Sequence, residues 1–143
     1  MSVKQISVFL ENKPSALNEM TRVLAEHAIN MRALSLSETE GFGIARLIVD
    51  DVLNATTVLK DAGYVNQLNS VMLIEIPDEA GGLNTVLDVL SETRTNIQYM
   101  YSILGTKAGK AYMVFRVDDR KKAEAALRGK GIAMVDQEDI VNL

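Results

Sequence analysis

The chain of 143 residues has no cysteine, one histidine and aromatic residues at only 5% of its length. Without cysteine there is no disulfide, no thiolate metal ligand, no CxxC redox pair and no cysteine nucleophile. A metallochaperone of small α+β type, which needs CxxC, is excluded on the same ground. The lone histidine, His27, falls in the last turn of the first expected helix, where a partly protonated ring interacts well with the helix dipole. That is a structural role, so no metal or cofactor is expected. No long apolar run is present. The segment MSVKQISVFLENK is too short in its apolar part for a signal peptide, and nothing later is long enough to span a bilayer. The expectation is a cytoplasmic protein with no membrane partner.

Excess positive charge is missing as well. The formal net charge is −4, whereas nucleic-acid binding draws on phosphate neutralisation by a basic surface. Arg120, Lys121, Lys122, Arg128 and Lys130 cluster, but Asp118, Asp119 and Glu124 are interleaved with them, as on a solvated helix face. An RNA-recognition sheet would carry aromatics on its central strands; Ile44 to Val49 has none, and its counterpart has Tyr112 and Phe115, but the acidic balance of the chain opposes RNA. Nucleic acid is therefore not an expected partner. Catalytic motifs are absent too: no phosphate-cradling GxxxxGK[ST], no HExxH and no placed Ser-His-Asp set. An acylphosphatase would need an arginine in the loop after its first strand, and neither ENKPSAL nor PDEAGGL has one.

What is present is a duplication. Asn12-Lys13-Pro14-Ser15-Ala16-Leu17-Asn18 aligns with Asp78-Glu79-Ala80-Gly81-Gly82-Leu83-Asn84 at an offset of 66 residues. At that offset Met20 falls on Val86, Val23 on Val89, Leu24 on Leu90, and Asn30-Met31 on Asn96-Ile97. Val49-Asp50-Asp51 against Val117-Asp118-Asp119, and Gly63 against Gly131, need an offset of 68. Two residues are thus inserted between these landmarks. Hairpin tips tolerate insertion best, and Glu38 to Phe42 and Gly105 to Lys110 have the composition of tips.

Each copy reads the same way. Ile6, Val8 and Leu10 alternate as on a half-buried strand, repeated over Val71 to Ile76. Leu17, Met20 and Leu24 then recur at helical spacing, as do Leu83, Val86 and Leu90, with Ser15 as N-cap of the first helix. Two strands follow, Met31 to Ser37 and Ile44 to Val49, repeated as Ile97 to Leu104 and Ala111 to Val117. A second helix in each copy ends at Gly63 or Gly131, suited to a left-handed C′ position. Asn30 and Asn96 also suit a left-handed helix end. Short last strands are expected near Tyr64 to Leu68 and Ile132 to Val135. The order β-α-β-β-α-β, twice, predicts an α+β protein of two ferredoxin-like units with antiparallel sheets and both helices on one face. The expected domains are residues 1–69 and 70–143. The other face of each sheet, with Tyr99, Tyr101 and Ile103 on one strand, is expected to be exposed until a second subunit covers it.

The segment ENKPSALNEMTRVLAEHAINMRALSL resembles the opening of ACT domains, whose first loop reads Asp/Asn-x-Pro-Gly-x-Leu. Asn12, Pro14 and Leu17 match, and Ser15 replaces the glycine. In PDEAGGLNTVLDVLSETRTNIQYMYS, Asp78, Gly81 and Leu83 match, and Ala80 replaces the proline. Ile29-Asn30-Met31 and Thr95-Asn96-Ile97 stand where the family has Ile/Val-Asn-Ile. The resemblance covers essentially the whole chain and implies an allosteric regulatory protein that binds an amino acid at ACT–ACT interfaces, does no catalysis and forms a homodimer.

The residues the resemblance assigns to ligand binding are Asn12, Ser15, Ala16, Leu17, Asn30 and Met31 in the first copy. Those in the second are Asp78, Gly81, Gly82, Leu83, Asn96 and Ile97. Helix N-termini offer unpaired N–H groups for a carboxylate, and Asn12 or Asp78 would take the ammonium group. Because glycine allows close backbone approach, the loop Asp78 to Leu83 is the expected site if only one works. An alternative remains: the same opening segment also resembles the small regulatory subunit of acetolactate synthase, so the partner would be a separate enzyme of amino-acid metabolism. An enzyme of ferredoxin-like fold is the third reading.

Overall fold

The computed structural model describes residues 2–103 and 108–143. Leu104 and residues 105–107 of the expected second tip, Gly105 to Lys110, lie outside the described residues. The chain divides into two compact units, residues 4–69 and residues 70–143 together with 1–3.

In the N-terminal unit, β1 (Val3–Glu11) leads to α1 (Ala16–Glu26), β2 (Met31–Thr39), β3 (Phe42–Val49) and α2 (Val52–Asp61). β3 is central. It pairs antiparallel with β1, placing Ile6 opposite Leu47, Val8 opposite Ala45 and Leu10 opposite Gly43. It also pairs with β2, placing Leu36 opposite Ala45 and Glu38 opposite Gly43. A two-residue turn, Glu40-Gly41, joins β2 to β3 inside the expected tip. Ile6, Val8 and Leu10 point to one face and pack with Met20 and Leu24 of α1 and Ala55, Val58 and Leu59 of α2. Met20, Leu24 and Leu59 are fully buried, each stabilising the unit by roughly 1.5–3 kcal/mol through removal of apolar surface from water.

The C-terminal unit repeats the plan with β4 (Asn66–Pro77), α3 (Gly82–Glu92), β5 (Ile97–Ser102), β6 (Lys110–Val117) and α4 (Arg120–Gly129). β6 lies between β4 and β5, with Met72 opposite Phe115, Ile76 opposite Ala111, and Met100 also opposite Phe115. Met72, Ile74 and Ile76 pack with Val86, Val89 and Leu90 of α3 and Ala123 and Leu127 of α4. β2 and β5 share an irregularity, at Arg32 and at Gln98, immediately after their first residue. The two expected ferredoxin-like βαββαβ units with helices on one face are present.

The four α-helices among the described residues end the same way. Ala28, Gly63, Arg94 and Gly131 have φ of 54°, 91°, 54° and 73°. Each donates its N–H to a carbonyl three residues back, and the next residue donates to the carbonyl five back, as in Ala28 to Ala25 and Ile29 to Leu24. This is the Schellman arrangement. It corrects the expectation for Asn30 and Asn96: the left-handed residues are Ala28 and Arg94, because the helices stop one turn residue before them.

Other expectations differ in detail. The closing strand near Tyr64 to Leu68 and the opening strand over Val71 to Ile76 are one strand, since no glycine or proline interrupts Asn66 to Ile76. The expected strand Ile132 to Val135 reduces to a bridge at Met134 facing Ile74, flanked by hydrogen bonds from Glu75 to Ala133 (3.0 Å) and from Val135 to Leu73 (2.8 Å). A 3-10 helix, Gln137–Asn142, follows. The sheet faces turned away from the helices were expected to be exposed, yet Ile48, Val71, Leu73, Tyr112 and Val114 are buried there. Strands apolar on both sides, such as Val71-Met72-Leu73-Ile74, read as strands buried on both faces.

Candidate functional site

The four α-helices among the described residues begin in two different ways. α2 and α4 are capped by their own side chains: Asp51 accepts from the Asn54 N–H at 3.1 Å and Asp119 from the Lys122 N–H at 3.2 Å. α1 and α3 have no side-chain cap. Ser15 and Gly81 precede them in the left-handed conformation, with φ of 70° and 83°. Ser15 thus occupies the expected cap position without making the cap bond, because its backbone is not in the extended region that aims the hydroxyl at the helix. The amides of Leu17 and Asn18 are among the first-turn groups that a helix leaves without an internal partner.

A cavity of about 520 Å³ opens at the start of α1. One wall is the loop from Glu11 to Lys13 with Ser15, Ala16, Leu17 and Asn18. The opposite wall is Leu36, Ser37 and Glu38 at the end of β2, and Leu10 and Gly43 also line it. The β2–β3 register brings these walls together by setting Glu38 across from Gly43, which in turn lies across from Leu10. The Asn12 amide Nδ2 donates to Glu38 Oε1 at 3.3 Å across the mouth. Lys13 Nζ lies 3.4 Å from Glu11 Oε2 on the exposed rim. The cavity therefore has a helix N-terminus on one side, a carboxylate on the other and aliphatic side chains between.

Of the residues expected to bind in the first copy, Asn12, Ser15, Ala16 and Leu17 line this cavity. Asn30 and Met31 do not. They stand at the opposite end of β2, where Met31 packs against the core. In the second copy, the Asp78 N–H donates to the Gly109 carbonyl at 3.0 Å. Gly81 is exposed, Leu83 packs against the second core and Gly82 is buried against the Pro77 carbonyl. Asn96 is tied to Asp118 by backbone, donating to its carboxylate at 3.1 Å and accepting its N–H at 3.2 Å. Ile97 packs on the core. Sequence reasoning missed Glu38, Leu36 and Gly43. Glu38 lies in the stretch read as a solvated hairpin tip, and only the hairpin register carries it back over the β1–α1 loop.

Two further groups have defined surroundings. Tyr112 donates to Glu75 Oε2 at 2.9 Å. Burial, then that hydrogen bond, then the Glu75 charge raise the Tyr112 pKa above 10.0. His27 Nδ1–H donates to the Val23 carbonyl at 2.9 Å, a local helix-end contact. Among the described residues no cluster of His, Asp and Glu could hold a metal ion, and no helix is long and apolar enough to cross a membrane.

Two ferredoxin-like βαββαβ units in tandem, the first with an open helix start over a polar-and-apolar cavity, define a duplicated α+β module. The chain belongs to the ACT domain pair family, whose model matches residues 1–143. A solved structure of the protein BT0572 from Bacteroides thetaiotaomicron is 37% identical, with a TM-score of 0.92 over 100% of this chain and 98% of that one. The ligand-free regulatory subunit of aspartate kinase from Thermus thermophilus shares the fold at 17% identity and a TM-score of 0.66, over 90% of each chain. The corresponding subunit from Thermus flavus does so at 17% identity and 0.60, over 87% of this chain and 88% of that one. No curated protein matches.

Proposed function

We propose that the chain is a regulatory protein that binds a free α-amino acid in the cavity of its N-terminal unit. The observation that carries this is the opposition of charge across one cavity, an uncapped α1 start facing Glu38. A ligand carboxylate accepts from the Leu17 and Asn18 amides, where the helix potential favours negative charge. Its ammonium group replaces the Asn12 amide as the partner of Glu38, a charge-assisted hydrogen bond in place of a neutral donor's. This moves the expected site from the second loop to the first.

The protein acts by binding rather than by catalysis, and its partner is a second copy of itself. β2 ends the strand order of its unit, and Leu34 and Leu36 on it are 40% and 54% exposed, an apolar edge beside the cavity. Docking on a separate enzyme of amino-acid metabolism is the second reading, supported by the fold shared with aspartate kinase regulatory subunits.

A thermal-shift screen of the purified protein against the twenty amino acids tests the binding. A ligand at 100 times its Kd adds about 2.7 kcal/mol. The expected result is a hit that is lost in Glu38→Gln and in the N-acetylated form of the same amino acid. No shift with any amino acid, in protein shown to be folded, overturns the reading.

A further inference from the structure

Gly43 is buried on β3 and lines the cavity. It shares the helix-facing side of β3 with Ala45 and Leu47, so its missing side chain is space in the cavity floor. A Cβ placed there would meet Leu36 Cδ1 at 3.6 Å, the Ser37 carbonyl oxygen at 3.7 Å and Leu10 Cβ at 3.9 Å. These are ordinary contacts. The fold has room for a methyl group at this point and leaves it out.

The second copy does not leave it out. Ile76, the repeat counterpart of Leu10, lies across from Ala111 as Leu10 lies across from Gly43. Ala111 packs against the core of its own unit. The difference between the copies at this position is one methyl group.

The apolar side chains that line the cavity with Gly43 are Leu10, Ala16, Leu17 and Leu36. Of the charged groups at the mouth, Glu38 faces the ligand ammonium, and Lys13 and Glu11 pair at 3.4 Å on the exposed rim. The lining beside Gly43 is apolar, and burying a charged ligand side chain against it would be opposed. We propose that the cavity selects amino acids with branched aliphatic side chains, and that Gly43 sets their size limit. This rests on the amino-acid reading of the same cavity.

Calorimetric titration with L-alanine, L-valine, L-leucine, L-lysine and L-phenylalanine tests it, on the full chain and on Gly43→Ala and Leu36→Ala. The full chain is expected to bind valine or leucine more tightly than alanine and lysine. Gly43→Ala should weaken the leucine complex by about tenfold or more while leaving alanine nearly unchanged, since one methylene in an apolar pocket discriminates on that scale. Leu36→Ala, which trims the exposed wall beside Gly43, should shift preference toward phenylalanine. Equal loss for every ligand in Gly43→Ala, or a preference for lysine in the full chain, overturns this inference and leaves the amino-acid reading standing. Absence of binding by all twenty amino acids removes that reading and this one with it.

Discussion

Ser15 and Gly81 hold the same backbone position, each left-handed immediately before an uncapped helix, with φ of 70° and 83°. A side chain in this conformation crowds the following carbonyl oxygen by roughly 1–2 kcal/mol, a strain that glycine does not have. Ser15→Gly relieves it and gives back part through the greater freedom of the unfolded chain. The expected net result is a gain of about 0.5–1 kcal/mol, and Gly81→Ser should lose a similar amount. Urea denaturation of both variants checks the opposite signs.

Gly82 is required for a different reason. A Cβ there would overlap the Pro77 carbonyl oxygen, a backbone atom that cannot swing away. Gly82→Ala should therefore destabilise by roughly 1–3 kcal/mol, the range for overpacked positions. Its first-copy counterpart is already alanine, Ala16. A Gly82→Ala protein as stable as the parent in urea denaturation would contradict the close approach.

The aspartate caps give a matched comparison. Asp51→Ala and Asp119→Ala each remove a side-chain bond to a helix N–H and should each lose about 1 kcal/mol. Ser15→Ala has no cap bond to lose and should change stability by less than about 0.5 kcal/mol. Melting temperatures of the three variants measure the contrast.

Tyr112 predicts an alkaline limit. Its folded pKa is raised above the ordinary 10.0 by burial and by Glu75. The unfolded chain thus releases this proton first, and above pH 10.0 it binds fewer protons than the folded one. Stability from this group is complete below pH 10.0 and falls as pH rises through the folded value. Tyr112→Phe should flatten that fall, and the parent's tyrosinate absorbance should show a late-titrating component that the variant lacks.

The duplication made most of the fold legible, because recurrence of Leu17, Met20 and Leu24 as Leu83, Val86 and Leu90 fixes helix faces that either copy alone would leave ambiguous. The boundaries followed where punctuation was strong, as at Gly63 and Gly131. They failed where it was weak. Ala28 and Arg94 are left-handed with no glycine to announce it, and nothing between Asn66 and Ile76 marks the passage from one unit to the next. For the site, the loop residues were readable from local motif, whereas Glu38 and Gly43 depend on hairpin register. Asn30 and Met31 were grouped with the loop by resemblance alone, and β2 carries them to its far end.

The open start of α1 also bears on how long the protein lasts. A missing side-chain cap concedes about 1 kcal/mol, and first-turn amides without partners are where helices fray. A carboxylate held there would return that stability and bind only the folded form. Degradation of a folded protein commonly tracks the population of its opened form. Occupancy of the cavity would then be written into the protein's half-life.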